Sequence, residues 1–155
     1  MANIFDVASY ILSKAGAMTA MKLEKLAYYA QAWSLVWDEA PLFEEEFEAW
    51  AGGPVSPPLY ERHRGQFMVT SAIVPDGDQE ALNATQRDTI DQVLSFYGGK
   101  TAQWLSDLTH MEAPWVNARE RAGAPPGGFC RETITLADMA EYYAGLMATN
   151  AEAVA

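Results

Sequence analysis

Residues that build catalytic and metal sites are scarce in this chain of 155 residues, which has one cysteine, Cys130, and two histidines, His63 and His110. A single cysteine excludes an internal disulfide and a metal cluster held by several cysteines. The histidines show neither the HExxH pattern nor another helical pairing typical of zinc sites, and the sequence lacks a phosphate-binding glycine loop and a GxSxG motif. We therefore predict that the protein is not an enzyme and has no cofactor and no metal.

Positive charge is also scarce, with 10 Lys and Arg against 21 Asp and Glu and a formal net charge of −11. A nucleic-acid backbone would be repelled by this charge, and the densest basic cluster covers only residues 62–64. We therefore expect no nucleic-acid partner. A basic protein partner would be attracted electrostatically, although solubility alone is an alternative explanation of the acidic charge.

Long hydrophobic runs are missing, since every apolar stretch is shorter than the roughly 20 residues of a membrane-spanning helix. The N-terminus, MANIFDVASYILSKAG, has an acid before its first base, unlike a signal peptide. These features predict a cytoplasmic protein without membrane contact. Hydrophobic residues make up 50% of the chain and aromatic residues 12%, which is enough for the core of one folded domain.

Helix signals dominate the sequence. Asn3 is suited to cap a helix over residues 4–15 that ends at Gly16, and Thr19 to begin a second helix that reaches Trp37. The second helix is apolar nearly all round, which is typical of a helix buried on several sides. Further helix starts are predicted at Ser56, Thr85, Thr101, Pro114 and Thr135.

Only a small β element is indicated. Residues 67–74, FMVTSAIV, are rich in β-branched side chains and predict a short strand, and Gly52-Gly53-Pro54 predicts a turn. One or two strands need helices to pack against. The predicted fold is mainly α, a single compact helical domain over residues 1–148 with a small β-hairpin or short-strand element, followed by a frayed tail over residues 149–155.

The segment from Asp38 to Trp50 holds six acids and no base, interleaved with aromatic residues. Acids beside aromatic side chains are typical of a protein-binding patch, whereas solvated charge and core aromatics are the alternative reading. The residues predicted to contact a protein partner are Glu44, Glu45, Glu46, Phe47, Glu48 and Trp50.

Residues 108–120, LTHMEAPWVNARE, bring His110 and Glu112 close together in sequence. Their spacing does not place both side chains on one helix face. We interpret the segment as a structural junction, where one helix ends near His110, the next begins at Pro114, and Trp115 packs inward. A small metal-dependent hydrolase centred on His110 and Glu112 is the less favoured alternative.

Three blocks of the sequence form a combined pattern: KLEKLAYYAQAW (22–33), PLFEEEFEAWAGGPVSPPLY (41–60) and LSDLTHMEAPWVNAR (105–119). In this order they resemble the Panacea domain, a phage-associated family with GepA-like and SocA-like members. The residues that carry the resemblance are Lys22, Leu23, Lys25, Leu26, Tyr28, Trp33, Glu48, Ala49, Trp50, Gly53, Pro54, Val55, Tyr60, Thr109, His110, Pro114, Trp115 and Arg119.

The resemblance implies a cytoplasmic bacterial or phage-encoded protein that binds proteins and does not catalyse a reaction. Members are similar to antitoxins, each encoded beside a toxin that it neutralises by direct contact. One branch, the SocA type, instead presents its toxin to the ClpXP protease. The resemblance therefore predicts a non-catalytic antitoxin with a cognate toxin as its partner. The alternatives are an adaptor that delivers a toxin to a ClpXP-type protease and a phage-encoded protein that interacts with a host protein.

Overall fold

The computed structural model describes residues 1–154, with side chains for residues 1–149. Over this range the chain forms seven α-helices, confirming a mainly helical fold: α1 (Ile4–Ala15), α2 (Ala20–Trp37), α3 (Pro57–His63), α4 (Ala84–Tyr97), α5 (Ala102–His110), α6 (Ala113–Ala122) and α7 (Leu136–Val154). Short 3-10 helices lie at Ser71–Ile73 and Gln79–Ala81. None of the helices in the described range is both long and apolar enough to cross a membrane.

Helix α2 is the centre of the fold. Thr19 begins the helix, since its hydroxyl accepts the Lys22 N–H at 3.2 Å. Side chains on every face of α2 are buried, and helices α1, α4, α5 and α7 all contact it. This confirms the prediction of a helix buried on several sides.

Local capping chemistry sets most helix starts. Asn3 and Asp6 form a reciprocal capping box at α1, as the helix prediction from Asn3 required. The predicted cap of α4, Thr85, is wrong, because Asn83 occupies that position and forms a capping box with Gln86. Asparagine is a stronger cap than threonine, and glutamine three residues later completes the box.

The strands form two small antiparallel sheets. In the first, β1 (Met18–Thr19) pairs with β4 (Met68–Val69). In the second, the strand order is β3 (Gly53–Val55), β2 (Phe47–Trp50) and β5 (Thr133–Ile134). The register places Ala49 opposite Pro54 in the β2–β3 hairpin, and Phe47 opposite Ile134.

The sequence predicted the position of one short strand and of the hairpin turn, but not the extent of the strands. The strand expected over residues 67–74 is only two residues long, because Thr70 caps a 3-10 helix immediately after Val69. The hairpin lies instead around the turn predicted at Gly52-Gly53-Pro54. In FEAW, Phe47 and Ala49 are buried, alternating with half-buried Glu48 and Trp50, which is the period of a strand.

The C-terminal helix begins as predicted, since the Thr135 hydroxyl accepts the Asp138 N–H at 3.1 Å. The tail predicted over residues 149–155 overlaps this helix and includes Ala155, which lies outside the described residues. The division into a domain over residues 1–148 and a tail stays a prediction.

Candidate partner-binding surfaces

The turn between β2 and β3 is held by side chains from α2, α5 and α6. We name these side chains the hairpin clamp: Lys25, Ser106, His110, Trp115 and Arg119. Each contacts one backbone carbonyl oxygen of the hairpin. Arg119 Nη1 lies 2.9 Å from the Ala49 oxygen, and Trp115 Nε1 lies 2.8 Å from the Trp50 oxygen. The Ala51 oxygen lies 2.8 Å from His110 Nε2, the Gly52 oxygen 2.6 Å from Ser106 Oγ, and the Pro54 oxygen 3.3 Å from Lys25 Nζ. These contacts give the turn carbonyls the partners that a strand ladder would otherwise supply.

Close approach of the hairpin to α2 explains one glycine of the family pattern. Gly53 has φ +120°, and a Cβ atom there would lie 2.7 Å from Cε of Lys25 and 3.1 Å from Oγ1 of Thr109. A larger residue would therefore clash and adopt a strained backbone conformation. Burial lowers the pKa of Lys25 to about 8, with the neighbouring Glu24 opposing that shift.

The residues that carry the family resemblance lie mostly inside the fold. Half-buried members are Lys22, Glu48, Trp50, Tyr60, His110 and Trp115. Buried members are Leu23, Lys25, Leu26, Tyr28, Trp33, Ala49, Gly53, Pro54, Val55, Thr109, Pro114 and Arg119. Many of them are in the clamp or contact it, so the family pattern describes how the hairpin is fixed to the helices.

His110 occupies the structural junction that its sequence context indicated. Helix α5 ends at His110, and α6 begins at Ala113. The ring lies edge-on to Trp115, with Nδ1 2.6 Å from the Ser106 carbonyl oxygen and Nε2 2.8 Å from that of Ala51. Both ring nitrogens are therefore engaged with the backbone.

His63 is buried and paired with a carboxylate. Its Nε2 lies 2.8 Å from Oε1 of Glu24, whose other oxygen accepts the Ser56 N–H at 2.9 Å. Burial raises the pKa of the Glu24 carboxyl, while the bond to His63 and the Ser56 amide oppose the rise. Among the described residues, no group of three or more His, Cys, Asp or Glu side chains is arranged to hold a metal ion.

Glu112 does not join His110, because its side chain enters a cluster of tyrosines. Its Oε1 accepts hydrogen bonds from the hydroxyls of Tyr29 at 2.7 Å and Tyr143 at 2.8 Å. The Tyr28 hydroxyl lies 3.2 Å from that of Tyr143. Glu112 is only 3% exposed, and burial raises the pKa of its carboxyl against the opposing effect of the two hydroxyls.

A groove of about 450 Å³ lies between helices α2, α4, α5 and α7. We name it the aromatic groove, and its principal walls are Trp33, Trp37, Phe96, Tyr97, Trp104 and Met147. Four of these side chains are substantially exposed: Trp37 by 43%, Phe96 by 66%, Trp104 by 41% and Met147 by 44%. Glu112 also lines the groove, and it is the one charged residue of that lining within the described part of the chain. A concave, exposed apolar surface of this kind is typical of an interaction site.

The acidic segment is divided between structural and exposed residues. Glu45 accepts the Ile4 N–H at 3.1 Å, close to the start of α1. Glu48 Oε1 accepts the indole N–H of Trp50 at 2.8 Å and the Arg131 Nε–H at 3.0 Å. Glu44 and Glu46 are exposed.

Phe47 and Trp50, the two aromatic residues predicted to contact a partner, do not lie beside the exposed acids of this segment. Phe47 is 2% exposed and packs edge-on against Tyr28, because β2 directs it into the core where a partner does not reach its ring. Trp50 borders a cavity lined by Tyr60, Arg64 and Arg131, whereas Glu44, Glu45 and Glu46 border another. The structure therefore does not bring all six predicted contact residues into one surface patch.

The sequence did not predict the aromatic groove or the Glu112 cluster. Both depend on the packing of α2 against α4, α5 and α7, which brings together residues far apart in sequence. The high aromatic content was the available signal, and it does not reveal which rings are exposed.

Comparison with known proteins identifies the family. The model of the family "Antitoxin SocA-like, Panacea domain" matches residues 23–116, a range that includes all of the hairpin clamp except Arg119. Antitoxin SocA of Caulobacter vibrioides (strain NA1000 / CB15N) is 31% identical over 124 residues, which cover 70% of this chain and 66% of the relative. The chain thus spans slightly less than two thirds of that relative, and no solved structure matches it. On these grounds the chain belongs to the SocA-like, Panacea-domain family of antitoxins.

Proposed function

We propose that this protein is a cytoplasmic antitoxin that neutralises a cognate toxin by direct, non-catalytic contact. Family membership and the SocA relative support the antitoxin role. The aromatic groove is the observation that supports direct binding, because it exposes four large apolar side chains on one concave surface. Folded proteins rarely leave such a surface without a partner.

The acidic segment is the second proposed contact region. The net charge of −11 favours a basic toxin, since opposite charges accelerate encounter between proteins. The exposed acids Glu44 and Glu46 supply part of this attraction, and half-buried Glu48 and Trp50 extend the region toward the hairpin. Glu45 is left out of the binding test because its carboxylate also supports α1.

The proposal is tested with the product of the reading frame adjacent to this gene, expressed in a bacterial host with and without the protein. We expect that product to be toxic alone, and growth to be restored and a stable complex to co-purify when both are present. Glu44→Lys with Glu46→Lys is expected to slow complex formation, most strongly at low salt. Glu80→Lys with Glu120→Lys is the matched control, because both acids are exposed and the change in net charge is the same.

The outcomes separate the alternatives. Relief of toxicity without a stable complex, together with a shorter lifetime of the toxin, would indicate an adaptor that delivers the toxin to a ClpXP-type protease. In that case relief should disappear in a host that lacks the protease. A toxic neighbour that remains toxic in the presence of this protein would contradict neutralisation of that neighbour by either route.

A further inference from the structure

Glu112, which lines the aromatic groove, uses only one of its two carboxylate oxygens in hydrogen bonds with the described residues. Glu112 occupies the residue before α6, yet its carboxylate does not cap the helix amides. Oε1 accepts both tyrosine hydroxyls, and within the described part of the chain Oε2 has no hydrogen-bond partner. The residue is 3% exposed and lines the groove, so a nearly buried acid borders a site that is otherwise largely aromatic.

The aromatic walls of the groove contact one another. The indole N–H of Trp33 donates to the Tyr97 hydroxyl at 3.0 Å, and the rings of Trp33 and Trp37 are stacked at 5.0 Å. Nζ of Lys100 lies 4.8 Å from the ring centroid of Trp104. The ring of Trp104 thus already contacts a cation of the same chain.

The chemistry of this site selects among occupants. Aromatic faces carry partial negative charge and attract cations, with tryptophan the strongest of the three aromatic residues. An uncharged apolar side chain would cover Glu112 without providing a hydrogen-bond donor, which is unfavourable for a buried carboxylate. A negatively charged group would be repelled. A positively charged donor with an apolar stem satisfies both the rings and the carboxylate.

We propose that the aromatic groove binds a Lys or Arg side chain of the protein partner, with its stem against the tryptophans and its charged group at Glu112. The overall charge of −11 makes the surrounding surface complementary to such a basic segment. The inference rests on the proposed function for the partner's identity, and it adds the chemistry of the contact.

Protonation gives the site a pH dependence. Burial raises the pKa of the Glu112 carboxyl, and a bound cation favours its ionised form. Binding of a cation is therefore expected to weaken as the pH falls through the range in which Glu112 becomes protonated. The same change should leave binding of an uncharged molecule nearly unaltered.

The test uses the full chain and two small probes of the same shape, n-butylguanidinium and uncharged n-butylurea. Binding is followed from the NMR signals of the indole N–H groups of Trp33, Trp37 and Trp104. We expect n-butylguanidinium to bind about tenfold more tightly than n-butylurea. Glu112→Gln keeps an oxygen acceptor for the tyrosines and removes the charge, so the preference should fall to the smaller part that the aromatic rings contribute. Glu46→Gln removes an exposed acid elsewhere and should retain the full preference.

Equal binding of the two probes to the unchanged protein would overturn the inference, as would a preference that is undiminished in Glu112→Gln. If Glu112→Gln fails to fold, Trp104→Leu replaces it, because Trp104 is partly exposed and its loss should weaken n-butylguanidinium binding. Unchanged binding in that variant would also overturn the proposal. The probes require no toxin, so failure here is distinct from failure of the growth test, which does not depend on the chemistry of the groove.

Discussion

The hairpin clamp and the aromatic groove both contain tryptophans and charged side chains, but they use them differently. In the clamp, Trp115 and Arg119 donate to backbone carbonyl oxygens, and the arginine is almost completely buried. In the groove, Trp37 and Trp104 keep about two fifths of their surface exposed, and Glu112 uses one of its two oxygens. Every side chain of the first region contacts a backbone carbonyl oxygen of the hairpin, whereas the second region has capacity for further contacts.

This difference separates what the family resemblance identifies from what it leaves open. Saturated buried hydrogen bonds fix one conformation, because losing any partner leaves a polar group without compensation. An unsaturated aromatic surface contributes less to folding and is available for binding. The family pattern falls mainly on the hairpin and its clamp, so it identifies the fold, while the groove is the better place to look for the choice of partner.

The largest effect on stability is expected from Arg119→Met. The guanidinium donates to the carbonyl oxygens of Ala49, Pro125 and Gly128, at 2.9, 3.0 and 2.8 Å. Methionine fills similar space without donors, so we expect a loss of about 3 kcal/mol in the free energy of unfolding. Urea denaturation measures this loss.

Arg121→Met is the matched control on the same helix. Arg121 pairs with Asp138 at 2.9 Å and Glu132 at 3.5 Å, but its side chain is 39% exposed. Solvent screens such pairs, so the loss should stay below about 1 kcal/mol. Equal losses for the two arginines would contradict the assignment of Arg119 to a saturated, structural site.

A smaller effect in the clamp is expected from the titration of Lys25. Burial lowers its pKa from 10.5 to about 8 in the folded protein. Between those values the unfolded chain binds more protons than the folded one, so stability rises with pH. We expect a gain of about 1 kcal/mol in the free energy of unfolding between about pH 8 and 9, where few tyrosines of the unfolded chain are ionised.

Lys25→Met isolates this contribution, because it removes the ionisable group and retains the length of the side chain. Its stability should be nearly flat across the same pH range, measured by urea denaturation at each pH. A rise as steep as that of the unchanged protein would assign the pH dependence to another group. A flat profile in both proteins would show that Lys25 does not titrate in this range.

Sequence predictions were correct where a structure depends on interactions between residues close together in the chain. Starts at Asn3, Thr19, Thr101 and Thr135 were correct because a cap depends on the next three residues. The same rule failed at Thr85 only because Asn83, two residues earlier, is the better cap. Helix caps can therefore be predicted from a short stretch of sequence.

Predictions failed where distant segments meet. The strand Phe47–Trp50 pairs with residues 133–134, which no local pattern indicates, and the surrounding acids concealed its alternation of buried and half-buried residues. Phe47 was therefore assigned to a surface patch. The cluster of Glu112 with Tyr29 and Tyr143 likewise requires α2 and α7 to pack together. Exposure of an aromatic ring is decided by such packing and not by its own neighbours in sequence.

The smallest effect on stability, combined with a clear effect on binding, is expected from Phe96→Ser in the groove. Phe96 is 66% exposed, and phenylalanine and serine have similar helix propensities, so the free energy of unfolding should change by less than about 0.5 kcal/mol. If the groove contacts the toxin, loss of this ring should weaken the complex about tenfold, as for a well-placed aromatic contact. Binding is measured by titration calorimetry with the partner found in the growth test.

Phe129→Ser is the control, because Phe129 is 87% exposed and borders the separate cavity beside Trp50 and Arg131. It should leave stability unchanged and should weaken the complex less than Phe96→Ser, because the groove is the principal contact proposed. If Phe129→Ser weakens the complex and Phe96→Ser does not, the toxin contacts the hairpin side of the molecule, and the comparison between clamp and groove no longer separates folding from binding. If only Phe96→Ser weakens it, the groove contributes to binding without contributing appreciably to the stability of the fold.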